Sequence, residues 1–194
     1  MAFNAYLLFS TAAKGEIVGE STSSPQGAPD PNNSIEVQDY GFGVSMPVTT
    51  SRSDGGGATV GRANFDVFTC TKGIDTATTD LFKYCCKGTD IPAIILHLYR
   101  AGSGSEASGT VKYAEVIFQH CVVTKVAISG SGEELPKESM EFNYGLCEYQ
   151  YALTDHKTGL QTGKYSKYGW STVKNAEATG LQGDFSAWAP DAPK

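Results

Sequence analysis

The chain has 194 residues, of which 40% are hydrophobic and 19% charged, and its formal net charge is −6. At about 150 residues per domain, this length predicts one domain that is large enough to bury a core without disulfides or a metal. The acidic balance and the lack of any basic run exclude a nucleic-acid groove, and no stretch approaches the roughly 20 apolar residues of a membrane-spanning helix.

Alternating apolar residues predict a chain made mainly of β-strands. The segment from Met1 to Phe9 is predicted to be the first strand and not a signal peptide. No Lys or Arg precedes its apolar residues, and Asn4 interrupts them. Ile35 and Val37 then share one phase of the alternation. The apolar residues that follow them share the other phase, so a bulge or bend is expected at residues 38–39.

The later strands are longer. Phe65, Val67 and Thr69 begin one strand, and two more cover residues 91–100 and 111–129. The last of these is expected to keep one apolar phase over most of its length, with Val116, Phe118, Val122, Val126 and Ile128 on one face. A further strand begins with the alternating set Met140, Phe142, Tyr144 and Leu146, and its phase then moves to Tyr149, Tyr151 and Leu153, which predicts another bend. Residues 165–173 form the final strand.

One segment, Asp75 to Lys87, has the periodicity of a helix, with Ala77, Leu81, Tyr84 and Cys85 on one face. Asp75 is predicted to cap its first turn, and Gly88 to end it in the left-handed conformation. About seven strands with one helix predict a mainly β fold, a closed β-barrel or two-sheet sandwich with the helix against one side. Residues 21–33, 47–61 and 176–194 are rich in Pro, Gly or Ser and are predicted to be irregular.

The candidates for chemistry are weak. Five cysteines, two of them adjacent, fit no disulfide framework and indicate free thiols in a reducing cytoplasm. His97 and His120 could meet Cys121 in space, but hydrogen-bonded strand histidines are the simpler interpretation, so no metal is assigned. Cys86 could be a reactive thiol beside Lys83 without being catalytic.

The phosphate-binding and acid–base patterns are also incomplete. The segment 159–164 is one residue short of a Walker loop, and residues 41–43 lack the third glycine of a dinucleotide site. The acidic residues around Pro136 fit a solvated loop. The chain is therefore predicted to be no enzyme and to bind no cofactor. A sheet-rich chain without a site is expected to act through its surfaces, and self-assembly is the leading class.

An ordered set of segments carries a resemblance to a known family. The set consists of Lys14-Gly-Glu-Ile-Val-Gly-Glu-Ser21, Ile35-Glu-Val37, Tyr40-Gly-Phe-Gly-Val-Ser45, Phe65 to Thr71, Cys85-Cys-Lys-Gly-Thr-Asp-Ile91, Glu133-Glu-Leu-Pro136, Phe142-Asn-Tyr-Gly145, Thr154-Asp-His-Lys-Thr-Gly159 and Tyr168-Gly-Trp170. Over about Met1 to Ala176 the chain resembles the Hcp family, the haemolysin-coregulated tube proteins of bacterial type VI secretion. The insert at 21–33 and the tail after Ala176 look longer than the family pattern.

The resemblance implies a β-barrel flanked by one helix, with six copies closing into a homo-hexameric ring. Rings would stack on themselves into a tube inside sheath proteins, with a spike protein at the tip and small secreted effectors in the bore. It implies synthesis in the cytoplasm and later secretion without a cleaved signal peptide, with no nucleic acid and no membrane insertion. The predicted domain covers residues 1–175, and residues 176–194 form a C-terminal tail.

Two groups of site residues follow from the resemblance. If Tyr40, Phe42 and Val44 face the core, the intervening residues are expected to face the bore and contact effectors: Asp39, Gly41, Gly43 and Ser45. An equal alternative is that Gly41 and Gly43 only relieve crowding between strands.

The second group is a glycine-rich loop, which in the family reaches a neighbouring subunit or the next ring: Arg52, Asp54, Gly55, Gly56 and Gly57. An exposed loop without a partner is its alternative. The runner-up for the whole chain is a secreted β-barrel that binds a ligand without assembling.

Overall fold

The computed structural model describes residues 3–10, 17–21, 34–49, 59–101, 110–132, 135–155 and 161–178. In chain order its elements are β1 (Phe3–Ser10), β2 (Ile35–Val37), β3 (Asp39–Gly41), β4 (Val44–Ser45), β5 (Val48–Thr49), β6 (Thr59–Val60), β7 (Asn64–Phe65), β8 (Phe68–Gly73), α1 (Ala77–Lys87), β9 (Asp90–Ala101), β10 (Thr110–Ser129), β11 (Lys137–Thr154), β12 (Gln161–Ser171) and β13 (Ala176–Glu177). The mainly β fold with one helix is confirmed.

Nine strands belong to one antiparallel sheet, whose main path runs β13-β12-β11-β10-β9-β1-β2. The long strand β11 has two partners on the side away from β10. Its first part pairs with β8 from Lys137 to Phe142, and its later part pairs with β12 from Leu146 to Thr154. Two further pairs, β4 with β7 and β5 with β6, form an antiparallel arm within residues 44–49 and 59–65.

The predicted bend after Val37 is confirmed. β2 pairs with β1, whereas β3 pairs with β8, so the chain changes partner between the two short strands. The N–H of Gln38 donates to the carbonyl oxygen of Thr71 at 2.8 Å across this junction. In space the strands from β1 to β8 follow the order β1, β9, β10, β11 and β8. The bent segment of β2 and β3 therefore pairs with both ends of this row.

The phase predicted for the strand after Phe65 is wrong. β7 ends at Phe65 and β8 begins only at Phe68, and the inward side chains of β8 are Phe68, Cys70 and Lys72. Val67 is 38% exposed. The two residues between β7 and β8 separate strands that pair with different partners. The alternation that starts at Phe65 therefore does not continue into β8.

The single apolar phase predicted for residues 111–129 is also wrong. Val116 and Phe118 face the core, but after His120 the core residues are Cys121 and Val123. His120 has a φ of 53° in the left-handed region, and this local turn of the backbone reverses the faces. Val122 is consequently only half-buried, Ile128 is 49% exposed, and Val126 packs on the core after a bulge near Thr124.

The second predicted bend, in the strand that begins at Met140, is confirmed. It lies at Gly145, which faces the left-handed residue His120 on the neighbouring strand. A Cβ at Gly145 would lie 3.2 Å from the Cβ of His120, so glycine permits the two strands to kink together. Tyr144 belongs to the buried set before the kink, and Cys147 packs on the core after it. Leu146, predicted on the first face, is half-buried.

The predicted helix forms, but Asp75 does not cap it through its side chain. The carboxylate of Asp75 contacts the Nζ of Lys72 at 2.6 Å instead, and no side chain caps the first turn at Thr76. Gly88 ends the helix with φ 60°, as predicted. The face predicted to be apolar is buried in the core or packs against it: Ala77, Leu81, Tyr84 and Cys85.

The core lies between the inner face of the sheet and α1, and aromatic side chains fill its centre. The rings of Phe68 and Phe142 stack at 4.5 Å, and Phe118 meets Phe142 edge-on at 5.2 Å. Phe42 joins them from the segment that follows β3, at 5.6 Å from Phe118. Such aromatic contacts stabilise a core beyond simple burial of area.

Two of the segments predicted to be irregular contain short strands. Val48–Thr49 pairs with Thr59–Val60 within residues 47–61, and Ala176–Glu177 pairs with Trp170–Ser171 at the start of the predicted tail. Residues 22–33 lie outside the described residues. Among the described helices, none has the length and apolar character needed to cross a membrane.

Candidate functional site

The four residues predicted to face a bore lie at the junction of the sheet and the arm. Asp39 and Ser45 are exposed, and Gly41 and Gly43 are half-buried. Tyr40 and Phe42 pack against the core, as the prediction requires.

The alternation stops at Phe42, so the expectation that Val44 faces the core is wrong: its side chain is 62% exposed. β3 ends at Gly41, and Val44 already belongs to the separate two-stranded ribbon of the arm. In this ribbon Phe65 still packs against the core, whereas Val44 lines an open groove.

Both glycines of this group sit in crowded places. A Cβ at Gly41 would lie 3.1 Å from Oγ1 of Thr69, and a Cβ at Gly43 would lie 2.8 Å from Oδ2 of Asp66. Both contacts are with the ends of side chains, which can rotate away, so the alternative that these glycines relieve crowding between strands stays a prediction. Facing a bore and avoiding a clash are compatible roles for the same residue.

The second predicted group, Arg52, Asp54, Gly55, Gly56 and Gly57, lies outside the described residues. Its base is described: it is the strand pair β5 and β6 at the end of the arm. The side chains at this base are apolar and exposed, since Met46 is 48% and Val48 51% exposed. An exposed apolar ribbon is typical of a segment that packs against another molecule.

Sequence reasoning missed an apolar groove between the arm and the later part of the sheet. Its volume is 380 Å³, and its lining is Phe42, Gly43, Val44, Met46, Ala63, Phe65, Tyr144, Cys147, Tyr149, Tyr168 and Trp170. The rings of Tyr168 and Trp170 stack at 6.5 Å along one wall. The only sequence signal was the density of aromatic residues in β11 and β12, which does not show that the arm closes over them.

Burial holds two titratable groups of the groove in their neutral form. Burial raises the pKa of the Cys147 thiol to about 12, with a smaller contribution from the charge of Glu148. Burial likewise raises the pKa of the Tyr149 hydroxyl. A neutral, aromatic groove fits an apolar surface better than an ionic ligand.

The groups considered for chemistry are separated. His97 is buried with Nε2 at 2.9 Å from Oε2 of Glu115, whereas His120 is exposed and Cys121 lies in the core. Cys85 packs on the core, while Cys86 is exposed. Among the described residues, no group of three or more His, Cys, Asp or Glu side chains could hold a metal ion.

Comparison with known proteins identifies the family. The family model described as "Type VI secretion system effector, Hcp" matches residues 9–151. No curated protein matches the sequence.

Solved structures share the fold. A chain titled as a type six secretion system protein is 24% identical with a TM-score of 0.76, and the match covers 91% of this chain and 100% of that one. Hcp1 from Salmonella typhimurium is 24% identical with a TM-score of 0.68, covering 92% and 100%. Hcp1 from E. coli EAEC 042 is 19% identical with a TM-score of 0.67, covering 88% and 99%.

The family match spans most of the chain and contains the helix, the arm and the strands from β2 to β10, together with most of β11. It confirms the resemblance that the order of segments indicated. The chain belongs to the Hcp family and is a tube subunit of the type VI secretion system.

Proposed function

We propose that six copies of this chain close into a ring, and that the rings stack into a tube that carries small effectors in its bore. The tube would lie inside sheath proteins and bear a spike protein at its tip. Family membership supports this proposal, and one observation on the subunit carries it: an apolar groove lies beside a strand edge that has no partner strand over residues 161–168 among the described residues. Such surfaces are typical of chains that assemble.

The strand edge belongs to β12. Its residues from Gln161 to Tyr168 are all exposed, and β13 pairs only with Trp170 and Ser171. An exposed edge offers a row of N–H and C=O groups to a strand of another molecule. In a ring, the neighbouring subunit is the molecule that can use it.

The groove also contains a buried hydrogen-bond donor. Nε1 of Trp170 is buried, and no acceptor for it is found among the described residues. A buried indole N–H without a partner costs about 1–3 kcal/mol, so an acceptor is expected in the working assembly. We assign that acceptor to the neighbouring subunit, which would also cover the exposed side chains of Val44 and Met46.

Within one subunit, we propose that the sheet closes into a barrel through the bent segment at residues 35–41. The pairings of β2 with β1 and of β3 with β8 support closure, because they join the two ends of the strand run. Closure removes the edges that would otherwise invite unspecific pairing. It leaves β12 as the edge available for assembly.

We also propose that Asp39, Gly41, Gly43 and Ser45 line the bore and that the loop with Arg52, Asp54 and Gly55 to Gly57 contacts the next subunit or ring. Gly41→Trp would then lower effector retention in co-purification, because a large ring would fill the bore wall. Gly73→Trp is the control, since a Cβ at Gly73 meets nothing within 4 Å. Unchanged retention in Gly41→Trp rings would remove this residue from the bore.

We place the protein in the cytoplasm before firing and outside the cell afterwards, without a cleaved signal peptide. A structural role without catalysis, cofactor or metal fits the family. The runner-up, a secreted β-barrel that binds a ligand without assembling, is not favoured by the family match.

Sedimentation at neutral pH with electron microscopy tests the ring. We expect a species of six times the subunit mass and ring-shaped particles with a central hole. A strict monomer at concentrations that assemble other tube proteins would overturn the proposal.

A further inference from the structure

The two strands that share one side of β11 separate from each other beside the groove. The pairing of β11 with β8 ends at Phe142, and its pairing with β12 begins at Leu146. Residues 143–145 therefore lie where the partner strand changes, and we call this position the fork. Backbone carbonyl groups at such a place need donors that the strand ladder does not supply.

Thr172, the residue that follows β12, supplies these donors. Its N–H donates to the carbonyl oxygen of Gly145 at 3.0 Å. Its hydroxyl lies 3.0 Å from the same oxygen and 3.1 Å from the carbonyl oxygen of Tyr144, and it donates to this pair. Both the backbone and the side chain of Thr172 are thus held in the fork.

The turn after Thr172 fits closely against the fork. A Cβ at Gly145 would lie 3.3 Å from Cγ2 of Val173, so glycine lets the turn approach β11. Within the turn, the N–H of Lys174 donates to the hydroxyl oxygen of Ser171 at 3.2 Å. These contacts keep the carbonyl group of Thr172 in a defined direction, in which it can accept a further hydrogen bond.

Arg62 of the arm donates that hydrogen bond. Its guanidinium group contacts the carbonyl oxygen of Thr172. Arg62 lies after β6 and before β7, and thus between the two strand pairs of the arm. Directly before it, the N–H of Gly61 donates to the carbonyl oxygen of Pro47 at 3.0 Å, where the two sides of the arm meet.

A second attachment of the arm lies on the other side of β7. The ring of Phe65 contacts that of Tyr144 at 6.4 Å, and the hydroxyl of Tyr144 donates to the carbonyl oxygen of Asp66 at 3.0 Å. Arg62 and Asp66 are separated by up to about 14 Å of extended chain. A ribbon that is attached at one point can rotate about it, whereas two separated points fix its direction.

We propose that Arg62 and Thr172 form a joint that sets the direction of the arm, and that ring formation depends on this direction. The second part rests on the proposed function, in which the arm and the groove contact a neighbouring subunit. Arg62 and Thr172 are positioning residues, because they act through the arm and need not touch the neighbour. An exposed contact of this kind contributes little to the stability of the core, so its effect on assembly can be separated from folding.

Pulsed electron–electron double resonance tests the joint. Spin-labelled non-natural amino acids replace Val48 on β5 and Lys83 on α1, which are both exposed, and labelled chains are diluted with unlabelled ones. We expect a narrow distance distribution, which becomes several-fold broader in Arg62→Gln. Lys125→Gln removes an exposed lysine that pairs with Glu141 and should leave the distribution unchanged. An equally narrow distribution in Arg62→Gln would overturn the proposal.

The hydroxyl of Thr172 permits a rescue test. Thr172→Val keeps the size of the side chain but removes the donor to the fork, and it should broaden the same distribution. Thr172→Ser keeps the hydroxyl and should preserve the narrow distribution. A merely space-filling role of Thr172 predicts the opposite order, since valine fills the space better than serine, and that order would overturn the proposal.

Sedimentation velocity connects the joint with assembly. Arg62→Gln should lower the fraction of rings several-fold, while the midpoint of urea unfolding stays close to that of the unchanged chain. Undiminished rings in a variant with broadened distances would overturn the dependence of ring formation on the direction of the arm. Absence of rings from the unchanged chain would overturn the proposed function and with it this second part, whereas the distance measurements decide the first part independently.

Discussion

Lys72 is a fully buried cation at the junction of β8 and α1. Its Nζ lies 2.6 Å from Oδ1 of Asp75 and 3.2 Å from Oε2 of Glu138, which is itself 0% exposed. Thr78 contacts both Lys72 and Glu138 through its hydroxyl. This network explains why Asp75 does not cap the helix: a buried ammonium group attracts its carboxylate more strongly than exposed N–H groups do.

Removing the cation alone is expected to be costly. Lys72→Met leaves Glu138 buried without its partner and should lower the free energy of unfolding by about 3–5 kcal/mol. The double variant Lys72→Met, Glu138→Leu should recover much of this loss, because no unpaired charge remains. Urea unfolding followed by circular dichroism measures both. Equal losses in the single and double variants would contradict the argument.

Glu115 lies in a second buried polar cluster, on the face of the sheet opposite to the core. Burial raises its pKa, but the hydrogen bond with His97 and the charge of Lys112 together outweigh burial and lower the pKa to about 2. Lys112 holds its Nζ 3.0 Å from Oε2 of Glu115. Burial lowers the pKa of His97 more than Glu115 raises it, so the imidazole is neutral at physiological pH.

The sign of the pH dependence follows from these shifts. A carboxyl whose pKa falls on folding stabilises the protein above its unfolded pKa and loses that contribution as the pH drops towards its folded pKa. The fall from 4.5 to about 2 corresponds to about 3 kcal/mol. Protonation of His97 on acidification acts in the same direction.

Glu115→Gln should therefore flatten the loss of stability on acidification from about pH 5 to pH 2, by up to about 3 kcal/mol. The measurement is the free energy of urea unfolding as a function of pH. Glu36→Gln is the matched control, because Glu36 is a carboxylate on β2 that pairs with Tyr6 of β1 but is exposed. An unchanged acid slope in Glu115→Gln would show that this carboxylate is not the responsible group.

At the scale of elements, the arm within residues 44–49 and 59–65 is distinct from the sheet that carries it. It consists of two short strand pairs whose apolar side chains are exposed, and it joins the sheet through the aromatic contact of Phe65 with Tyr144 at 6.4 Å. Tyr144 also donates a hydrogen bond from its hydroxyl to the carbonyl oxygen of Asp66 at 3.0 Å. The part of the arm beside the sheet is thus fixed by the core.

Deletion of residues 54–57 should shorten or abolish tubes and leave the subunit folded. The deletion leaves all residues of the two described strand pairs of the arm in the chain. Electron microscopy measures tube length, and circular dichroism confirms the fold. Tubes of normal length would refute the assignment of this loop to contacts between subunits or rings.

At the scale of the whole molecule, the two faces of the sheet have different tasks. The groove on the arm side is aromatic and open, and it is suited to a neighbouring subunit. The opposite face of the central strands is buried, with Leu8, Ile95 and Ile117 at most 4% exposed.

Val44→Ser with Met46→Ser should lower ring formation by at least about tenfold while changing subunit stability little, because both side chains are largely exposed in the free subunit. Val173→Ser is the matched control: Val173 is 75% exposed and does not line the groove. Sedimentation velocity gives the ring fraction. Rings that survive the double change as well as the control would exclude the groove from the subunit contact.

The sequence by itself determined the features that depend on local pattern and residue order. Alternation identified the strands, Gly88 the end of the helix, the phase change after Val37 the bend, and the ordered segments the family. Each of these signals lies within a few residues or in their order along the chain.

Only the tertiary structure decided which face a residue occupies after a kink and which distant segments meet. The left-handed backbone at His120 reversed the faces of β10, the buried Lys72 drew Asp75 away from the helix, and the arm closed the groove over Trp170. These outcomes depend on contacts between residues far apart in sequence, where packing and charge pairing override local preference.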